Sequence, residues 1–158
     1  MSSRDEFLTM SDDDLVRHCK LDFFKATGNG GQKRNKTSSA VRVTLEDFGI
    51  SAEDCSERSQ HRNRAAALNK LRRRLAYHLR EGFVPFERKD CSLEHFDYPL
   101  YIAKLLDLLA QSGWDYRSAA EQLGISASSL LKTIARDSEL FTYYNNMRRR
   151  AGLSAVHP

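Results

Sequence analysis

The 158-residue chain is 41% hydrophobic and 29% charged, which gives enough apolar side chains for a modest core in one ordinary domain or two small ones. It has no run of about 18 apolar residues, as a membrane-spanning helix would need, and its acidic first 14 residues lack the basic-then-apolar order of a signal peptide. These features exclude a membrane partner and predict a cytoplasmic location. Cys19, Cys55 and Cys91 are odd in number and lack metal-ligand spacing, so we expect reduced structural thiols and no bound metal.

The positive charge is concentrated in two windows of the sequence. The formal net charge is only +4, but residues 25–43 hold five Lys or Arg and no acid, and residues 58–80 hold eight and no acid. A solvated basic helix would normally carry interleaved Glu or Asp. The segregation therefore favours a phosphate backbone, that of a nucleic acid, as the partner.

Hydrophobic patterning in the first half of the chain predicts a small sheet followed by one long helix. The clearest strand signal is the alternation of Val41, Val43 and Leu45 with polar residues, which has the period of a half-buried strand. The predicted elements, in chain order, are a helix start or turn at 11–14, a strand at 18–26, a short helix at 35–39, a strand at 40–46, a turn at 47–49 and a weaker strand at 50–55.

The helix that follows the third strand is the best-marked element. Ser59 is its expected N-cap, and Gly82 and Pro85 are expected to end it. Leucines recur along it at three- and four-residue spacing, which predicts a core-facing stripe with the arginines on the remaining surface. The stripe consists of Leu68, Leu71, Leu75 and Leu79.

Residues 98–150 have a wholly helical pattern, which predicts a second, all-α domain. Asp115 is expected to cap its second helix, which ends at Gly124, and further helices are predicted at 127–136 and 139–150. The first helix carries its apolar face on Tyr101, Ile102, Leu105, Leu106 and Leu109. The predicted fold class is thus α+β: a three-stranded β-sheet packed on a long basic helix, then a small helical domain.

The second and third helices of this domain resemble a helix-turn-helix unit. A small residue, a turn glycine and two apolar residues stand where the two helices would cross, namely Ala120, Gly124, Ile125 and Leu130. The presumed recognition helix offers only Lys132 and Arg136 as cations, whereas specific DNA reading normally uses more polar side chains. Duplex DNA, ribosomal RNA, a protein contact and simple packing stay open as roles for this unit.

A glycine-rich basic segment, KATGNGGQKRNK at residues 25–36, connects the first two predicted strands. It lacks both nucleotide-binding fingerprints, Gly-x-Gly-x-x-Gly and Gly-Lys-Ser/Thr at a helix start. The chain also has no paired carboxylates, Ser–His–Asp set or ligand-spaced His and Cys. Enzymatic chemistry at this segment would therefore fall to backbone N–H donors, a neutral amide and the substrate itself.

Several motifs in this half of the chain resemble the catalytic domain of class I peptide chain release factors over about residues 15–80. They are Gly30-Gly31-Gln32, Asn35-Lys36-Thr37, Ser39-Ala40-Val41-Arg42-Val43 and the run from Arg58 to Arg64. Asn29 departs from the Pro or Ala usual in the family, and Lys33-Arg34 departs from the usual His-Val or Asn-Val. Asn29 still tolerates the left-handed backbone of a tight bend.

The resemblance implies hydrolysis of the ester between a nascent peptide and the terminal adenosine of its tRNA. Gly30, Gly31 and Gln32 would be the catalytic residues, acting in the peptidyl-transferase centre without a metal or cofactor. The implied partners are the ribosome, through its large-subunit rRNA, and peptidyl-tRNA. The expected RNA-binding residues are Lys33, Arg34, Lys36, Arg58, Arg62, Arg64, Arg72, Arg73 and Arg74.

The order of segments predicts an N-terminal arm (1–14), the catalytic domain (15–82), a linker (83–97), the helical domain (98–150) and a C-terminal tail (151–158). About 14 residues before the catalytic domain are too few for a stop-codon-reading domain. The chain therefore resembles the short, codon-independent hydrolases that rescue stalled ribosomes, with residues 98–150 expected to recognise the stalled complex through RNA or protein. Two alternatives stay open: a non-catalytic RNA- or DNA-binding regulator, and peptide release from split ribosomal subunits.

Overall fold

The computed structural model describes residues 3–25, 39–87 and 91–158. These residues form two compact units, Met1–His78 and Leu79–Pro158, called the N-terminal and C-terminal units below. The N-terminal unit contains α1 (Arg4–Thr9), α2 (Asp12–Arg17), β1 (Cys19–Phe24), β2 (Ala40–Leu45), β3 (Ile50–Asp54) and α3 (Gln60–His78). The C-terminal unit contains α4 (Tyr98–Gln111), α5 (Tyr116–Leu123), α6 (Ala127–Ala135) and α7 (Ser138–Arg150). The predicted α+β class is confirmed.

The three strands form one antiparallel sheet in the order β1-β2-β3, with β2 in the centre. Val41, Val43 and Leu45 are completely buried and Arg42 between them is exposed, so the predicted alternation is confirmed. Gly49 closes the predicted turn between β2 and β3 with a φ of +65°, a conformation that glycine adopts without strain. The short helix predicted at 35–39 falls mostly outside the described residues.

Helix α3 packs against β2 and β3 and supplies much of the core of the N-terminal unit. Leu68, Leu71 and Leu75 are almost completely buried, as the leucine stripe predicted, whereas Leu79 lies beyond the end of the helix and is half-buried. The Ser59 hydroxyl accepts the Arg62 backbone N–H at 3.3 Å, which confirms the predicted N-cap.

The end of α3 was predicted wrongly, because the helix stops at His78 and not near Gly82. The helix ends early because of a contact with a residue distant in the chain. The buried Asp107 carboxylate of α4 accepts the Glu81 backbone N–H at 3.1 Å and Arg80 Nη1 at 3.3 Å. In a continued helix the Glu81 N–H would instead bond to a carbonyl one turn back.

Helix α1 was not predicted from the sequence. Ser3 and Glu6 form a capping box at its start, and Phe7 and Leu8 are buried. The Phe7 ring meets the His18 ring edge-on at 5.3 Å between centroids. Helix α2 begins after Ser11, whose side chain accepts the Asp14 N–H, so the predicted helix start is confirmed.

In the C-terminal unit, α4 is buried on almost every side and α5 to α7 follow it, with Asp115 capping α5 as predicted. Gly124, with φ +67°, ends α5, and the Ser126 side chain caps α6 after a short connection. The chain beyond α7 folds back along that helix. There, the Asn145 side chain bonds to both backbone groups of Val156, and Arg148 Nε donates to Ser154 O at 2.8 Å.

No helix within the described ranges is long and apolar enough to cross a membrane. The three cysteines are each half-buried and form no disulfide. Burial raises the pKa of the Cys19 thiol to about 11, against the opposing effect of the nearby Arg72 cation. This thiol is therefore a poor nucleophile at neutral pH.

Candidate functional site

The strand residues on either side of the glycine-rich segment lie on neighbouring strands. Phe24, the last residue of β1, pairs with Ala40, the first residue of β2. Antiparallel pairing places such residues about 5 Å apart, so the sheet holds the segment's entry and exit side by side. The predicted catalytic residues Gly30, Gly31 and Gln32, and the predicted RNA-binding residues Lys33, Arg34 and Lys36, lie outside the described residues.

Asn63 of α3 fastens the exit of this segment. Its side chain is completely buried, and its Nδ2 donates to Ser39 O at 2.7 Å and to Glu57 O at 2.9 Å. Its Oδ1 accepts the Glu57 N–H at 2.9 Å. One amide thus joins the start of β2, the connection before α3 and the first turn of α3. Sequence reasoning included Asn63 in a motif but gave it no role. The available signal was its place on the core side of the helix, four residues before Ala67.

The connection from β3 to α3 is fixed by a second polar cluster, around Asp54. Asp54 is 6% exposed, and its carboxylate accepts Lys70 Nζ at 2.6 Å, Ser56 Oγ at 2.6 Å and the Ser56 N–H at 2.9 Å. Burial raises the pKa of this carboxyl, but the hydrogen bonds from Lys70 and Ser56 outweigh that effect and hold the pKa below its usual value. The Asp54 cluster therefore ties the end of β3 to α3.

Arg42, in the middle of β2, lies on the exposed face of the sheet. Its Nε and Nη2 bond to Glu53 Oε2 at 3.0 and 2.9 Å, and its guanidinium carbon is 5.2 Å from the centre of the Phe24 ring. This cation of the first basic window is therefore paired with an acid on β3 and packed on the last residue of β1.

The predicted RNA-binding cations of α3 and its approach have different surroundings. Arg58 and Arg62 are exposed, and Arg62 Nη1 is 3.8 Å from Glu57 Oε2. Arg64 is half-buried, with its Nη2 3.3 Å from His61 Nδ1. Arg73 is half-buried, and the exposed Arg74 donates from Nη1 to Ser51 O of β3.

The sequence predicted that Arg72 lies on the exposed surface of the helix, but the structure buries it. Its side chain is 2% exposed, with Nη1 2.7 Å from Asp12 Oδ1 and Nη2 donating to Met10 O at 3.0 Å. The guanidinium therefore joins α3 to the connection between α1 and α2. The sequence prediction failed here because the counter-ion lies about 60 residues away in the chain, where no local charge pattern reveals it.

The second basic window is acid-free in sequence but not in space. Acids of other segments reach into it: Asp12 pairs with Arg72, Asp54 with Lys70 and Glu57 with Arg62. The cations left to face a polyanion are therefore concentrated at the start of α3 and along its outer side. Within the described ranges, no cluster of His, Cys, Asp and Glu side chains could hold a metal ion.

Comparison with known proteins places this site in a family. The RF-1 domain matches residues 10–90 of the 158-residue chain. Peptide chain release factor 1 of Erythrobacter litoralis is 52% identical over 62 residues, which are 39% of this chain and 18% of that protein. Peptide chain release factor 2 of Paramagnetospirillum magneticum is 53% identical over 57 residues, which are 36% of this chain and 15% of that protein.

The chain therefore belongs to the RF-1 domain family, that of the class I peptide chain release factors. The resemblance stated from the sequence motifs is confirmed at this level. The matched segment covers less than a fifth of the length of these relatives. The RF-1 domain match at residues 10–90 includes α2, the whole sheet and α3, but not α4 to α7.

Proposed function

We propose that this protein hydrolyses the ester bond between a nascent peptide and its transfer RNA on stalled ribosomes, without reading a stop codon. In this proposal Gly30, Gly31 and Gln32 enter the peptidyl-transferase centre. The Gln32 backbone N–H stabilises the charge that develops in the transition state, and its side chain places the attacking water. The two glycines let the backbone approach the ester closely.

One observation carries the proposal: a Gly-Gly-Gln sequence lies within the RF-1 domain match, between two strand ends that the sheet holds side by side. Catalysis by fixed backbone dipoles needs a rigid support for the reacting segment. The Asn63 amide and the Asp54 cluster supply such a support, because both fix residues that flank the segment or lead into α3.

The proposed contact with large-subunit rRNA uses the predicted RNA-binding cations other than Arg72. Arg72 leaves the set, because its guanidinium is buried and paired with Asp12. The residues that we retain are Lys33, Arg34 and Lys36 from the segment, and Arg58, Arg62, Arg64, Arg73 and Arg74 from α3 and its approach. Contacts of this kind release counterions, so affinity for the ribosome should fall steeply with salt.

Two parts of the proposal, codon independence and the choice of stalled ribosomes, rest on the resemblance of the sequence to the short rescue hydrolases. In the same proposal the C-terminal unit recruits the protein to its target. Its own core, built on α4, gives it the stability to present a fixed surface to RNA or protein.

The test is peptide release by the purified full chain from ribosomes that carry labelled peptidyl-tRNA. Three ribosome samples are compared: truncated mRNA with an empty A site, a stop codon in the A site, and a sense codon in the A site. Variants Gly31→Ala and Gln32→Ala are measured beside wild type. Gln111→Ala, which changes an exposed glutamine at the end of α4, is the matched control.

We expect wild type and the control to release peptide from the truncated complex, with no preference for the stop codon. Gly31→Ala should lose about a hundredfold or more in rate, because its methyl group obstructs both the bend and the approach of the backbone. Gln32→Ala keeps the backbone N–H and should retain more activity. Ribosome binding without release by wild type would replace the proposal with a non-catalytic RNA-binding role. Release only at the stop codon would refute codon independence alone.

A further inference from the structure

The start of α5 and the end of α7 together form a surface in which aromatic rings alternate with arginines. The Trp114 ring centroid is 6.4 Å from that of Tyr143, and the Arg117 guanidinium lies 5.2 Å from the centre of the Tyr116 ring. The Arg148 guanidinium lies 5.8 Å from the same Tyr116 ring. We call Trp114, Tyr116, Arg117, Tyr143 and Arg148–Arg150 the Trp114 surface.

The backbone at Trp114 is held in a conformation that bulky residues rarely adopt. Its φ is +65°, and Gly113 before it has φ +63°. The Trp114 carbonyl accepts the Tyr144 hydroxyl and Arg148 Nη1, each at 2.8 Å, and the Trp114 N–H donates to Leu109 O at 2.7 Å. Such conformations persist where the surroundings fix them, and they concentrate at functional sites. Here they leave the indole half-buried at the surface.

The cations of the Trp114 surface have no acidic partners within the described residues. Arg117, Arg149 and Arg150 are exposed, and Arg149 bonds to the neutral Asn146 amide at 3.1 Å. Arg148 is 8% exposed, and its guanidinium bonds only to carbonyl and hydroxyl oxygens. Of the acids on these two helices, the half-buried Asp115 caps α5, the exposed Glu121 lies in the last turn of α5, and the exposed Glu139 lies at the opposite end of α7 from Arg149 and Arg150. On α3, in contrast, Arg62, Lys70 and Arg72 each pair with an acid.

We propose that the Trp114 surface binds single-stranded RNA. The Trp114 ring would stack on a base, and Arg117, Arg149 and Arg150 would contact phosphates, the combination by which proteins hold single strands without reading duplex grooves. This surface differs from the one that the helix-turn-helix resemblance suggested, because α6 and its Lys132 and Arg136 contribute nothing to it. The inference concerns the C-terminal unit and holds whether or not the N-terminal unit hydrolyses an ester.

Trp114 is the only tryptophan in the chain, so indole fluorescence reports on this surface alone. The test titrates the full chain with a short oligouridylate and follows fluorescence at several salt concentrations. Total binding, including that by the N-terminal unit, is followed separately with a labelled oligonucleotide. We expect the indole to be quenched on binding and the quenching to be reversed by salt.

Two double variants, each of which removes two positive charges, decide where on the C-terminal unit the RNA binds. Arg149→Gln with Arg150→Gln should weaken the binding seen by fluorescence several-fold and lower its log–log salt slope by about 1. Lys132→Gln with Arg136→Gln, on α6, should leave the titration as in wild type. Circular dichroism and thermal unfolding of both variants verify that each is folded.

Three results would overturn the inference. RNA binding without any change in indole fluorescence would place the contact in the N-terminal unit. Equal effects of the two double variants would show attraction by net charge only. Quenching by duplex DNA that depends on Lys132 and Arg136 would assign the unit to duplex reading by α6. Peptide release by the wild-type preparation at saturating concentration reports on the proposed function whatever the outcome of these three.

Discussion

At the scale of single residues, Asn63 is the side chain on which the support of the glycine-rich segment most depends. Asn63→Ala would leave Ser39 O without its partner in a buried place, and Glu57 O and the Glu57 N–H without theirs in a partly buried one. A buried group left without a partner costs about 1–3 kcal/mol, so we expect a loss of about 2–3 kcal/mol in the free energy of unfolding. Urea denaturation measures it.

The control for Asn63 is Asn69→Ala in the same helix. Asn69 is exposed and accepts a single hydrogen bond from Arg72 at 3.3 Å. Its loss should cost less than about 1 kcal/mol. Similar stabilities of the two variants would contradict the role assigned to Asn63, because that role requires the buried amide to differ from the exposed one.

Asp54 gives the N-terminal unit an acid-sensitive link. Because its pKa is lowered in the folded protein, its stabilisation is fully present above the unfolded value of about 3.9 and is lost as pH falls through the folded pKa. We expect wild type to lose more stability than Asp54→Asn between about pH 4 and 2. At pH 7 the free energy of unfolding of the variant should be lower than that of wild type by about 1–3 kcal/mol. Urea titrations across this pH range measure both differences.

Glu53→Gln is the matched control for Asp54, because it breaks the neighbouring but half-exposed pair with Arg42. Surface pairs contribute about 0–1 kcal/mol, so its stability at pH 7 should stay close to that of wild type. An acid profile of Asp54→Asn identical to that of wild type would show that another carboxyl controls the transition.

At the scale of elements, α3 and the residues just before it contain two classes of arginine that substitution should separate. Arg72→Gln removes a buried guanidinium that bonds to the half-exposed Asp12 and to Met10 O, and it should destabilise the N-terminal unit by about 1–3 kcal/mol. Arg58→Gln with Arg62→Gln removes two exposed cations and should leave stability unchanged while it weakens ribosome binding. Thermal unfolding and ribosome co-sedimentation measure the two effects. Weakened binding with unchanged stability in Arg72→Gln would return that residue to the RNA-binding set.

The elements that could be predicted are those specified by local pattern. The alternation around Val43 located β2, the leucine spacing located α3, and Ser59 and Asp115 marked where helices begin. What could not be predicted depends on partners distant in the chain. Helix α1 has only six residues, too few for a periodic signal, and α3 ends where Asp107, 26 residues on, captures the Glu81 N–H.

The candidate site likewise has features that could be predicted from the sequence and features that could not. The Gly-Gly-Gln motif is visible in the sequence because backbone freedom and cations leave a compositional signature. The role of Asn63 and the burial of Arg72 leave none, since each depends on which residues of other segments face them. The Trp114 surface was missed because its residues come from two segments about 30 residues apart in the chain: Trp114, Tyr116 and Arg117 lie at the start of α5, whereas Tyr143 and Arg148–Arg150 lie on α7.

At the scale of the whole molecule, the N-terminal unit has a core of its own. Leu68, Leu71 and Leu75 of α3 are buried together with the inner face of the sheet and with Phe7, Leu8 and Leu15 of the first two helices. The C-terminal unit, in contrast, begins at Leu79, and Asp107 of that unit binds Arg80 and Glu81. The chain can therefore be divided after His78 without removing a core residue of the N-terminal unit.

We accordingly expect residues 1–78 to fold alone and to keep a cooperative unfolding transition. If the C-terminal unit recruits the protein, this fragment should release peptide from stalled ribosomes only at raised concentration, with an undiminished rate at saturation. The full chain carrying Arg149→Gln and Arg150→Gln should show the same increase in the concentration needed, because it lacks the phosphate contacts of the Trp114 surface. A fragment that folds and rescues at the wild-type concentration would remove recruitment from the C-terminal unit. A fragment that binds ribosomes but stays inactive at saturation would mean that the C-terminal unit takes part in the hydrolysis.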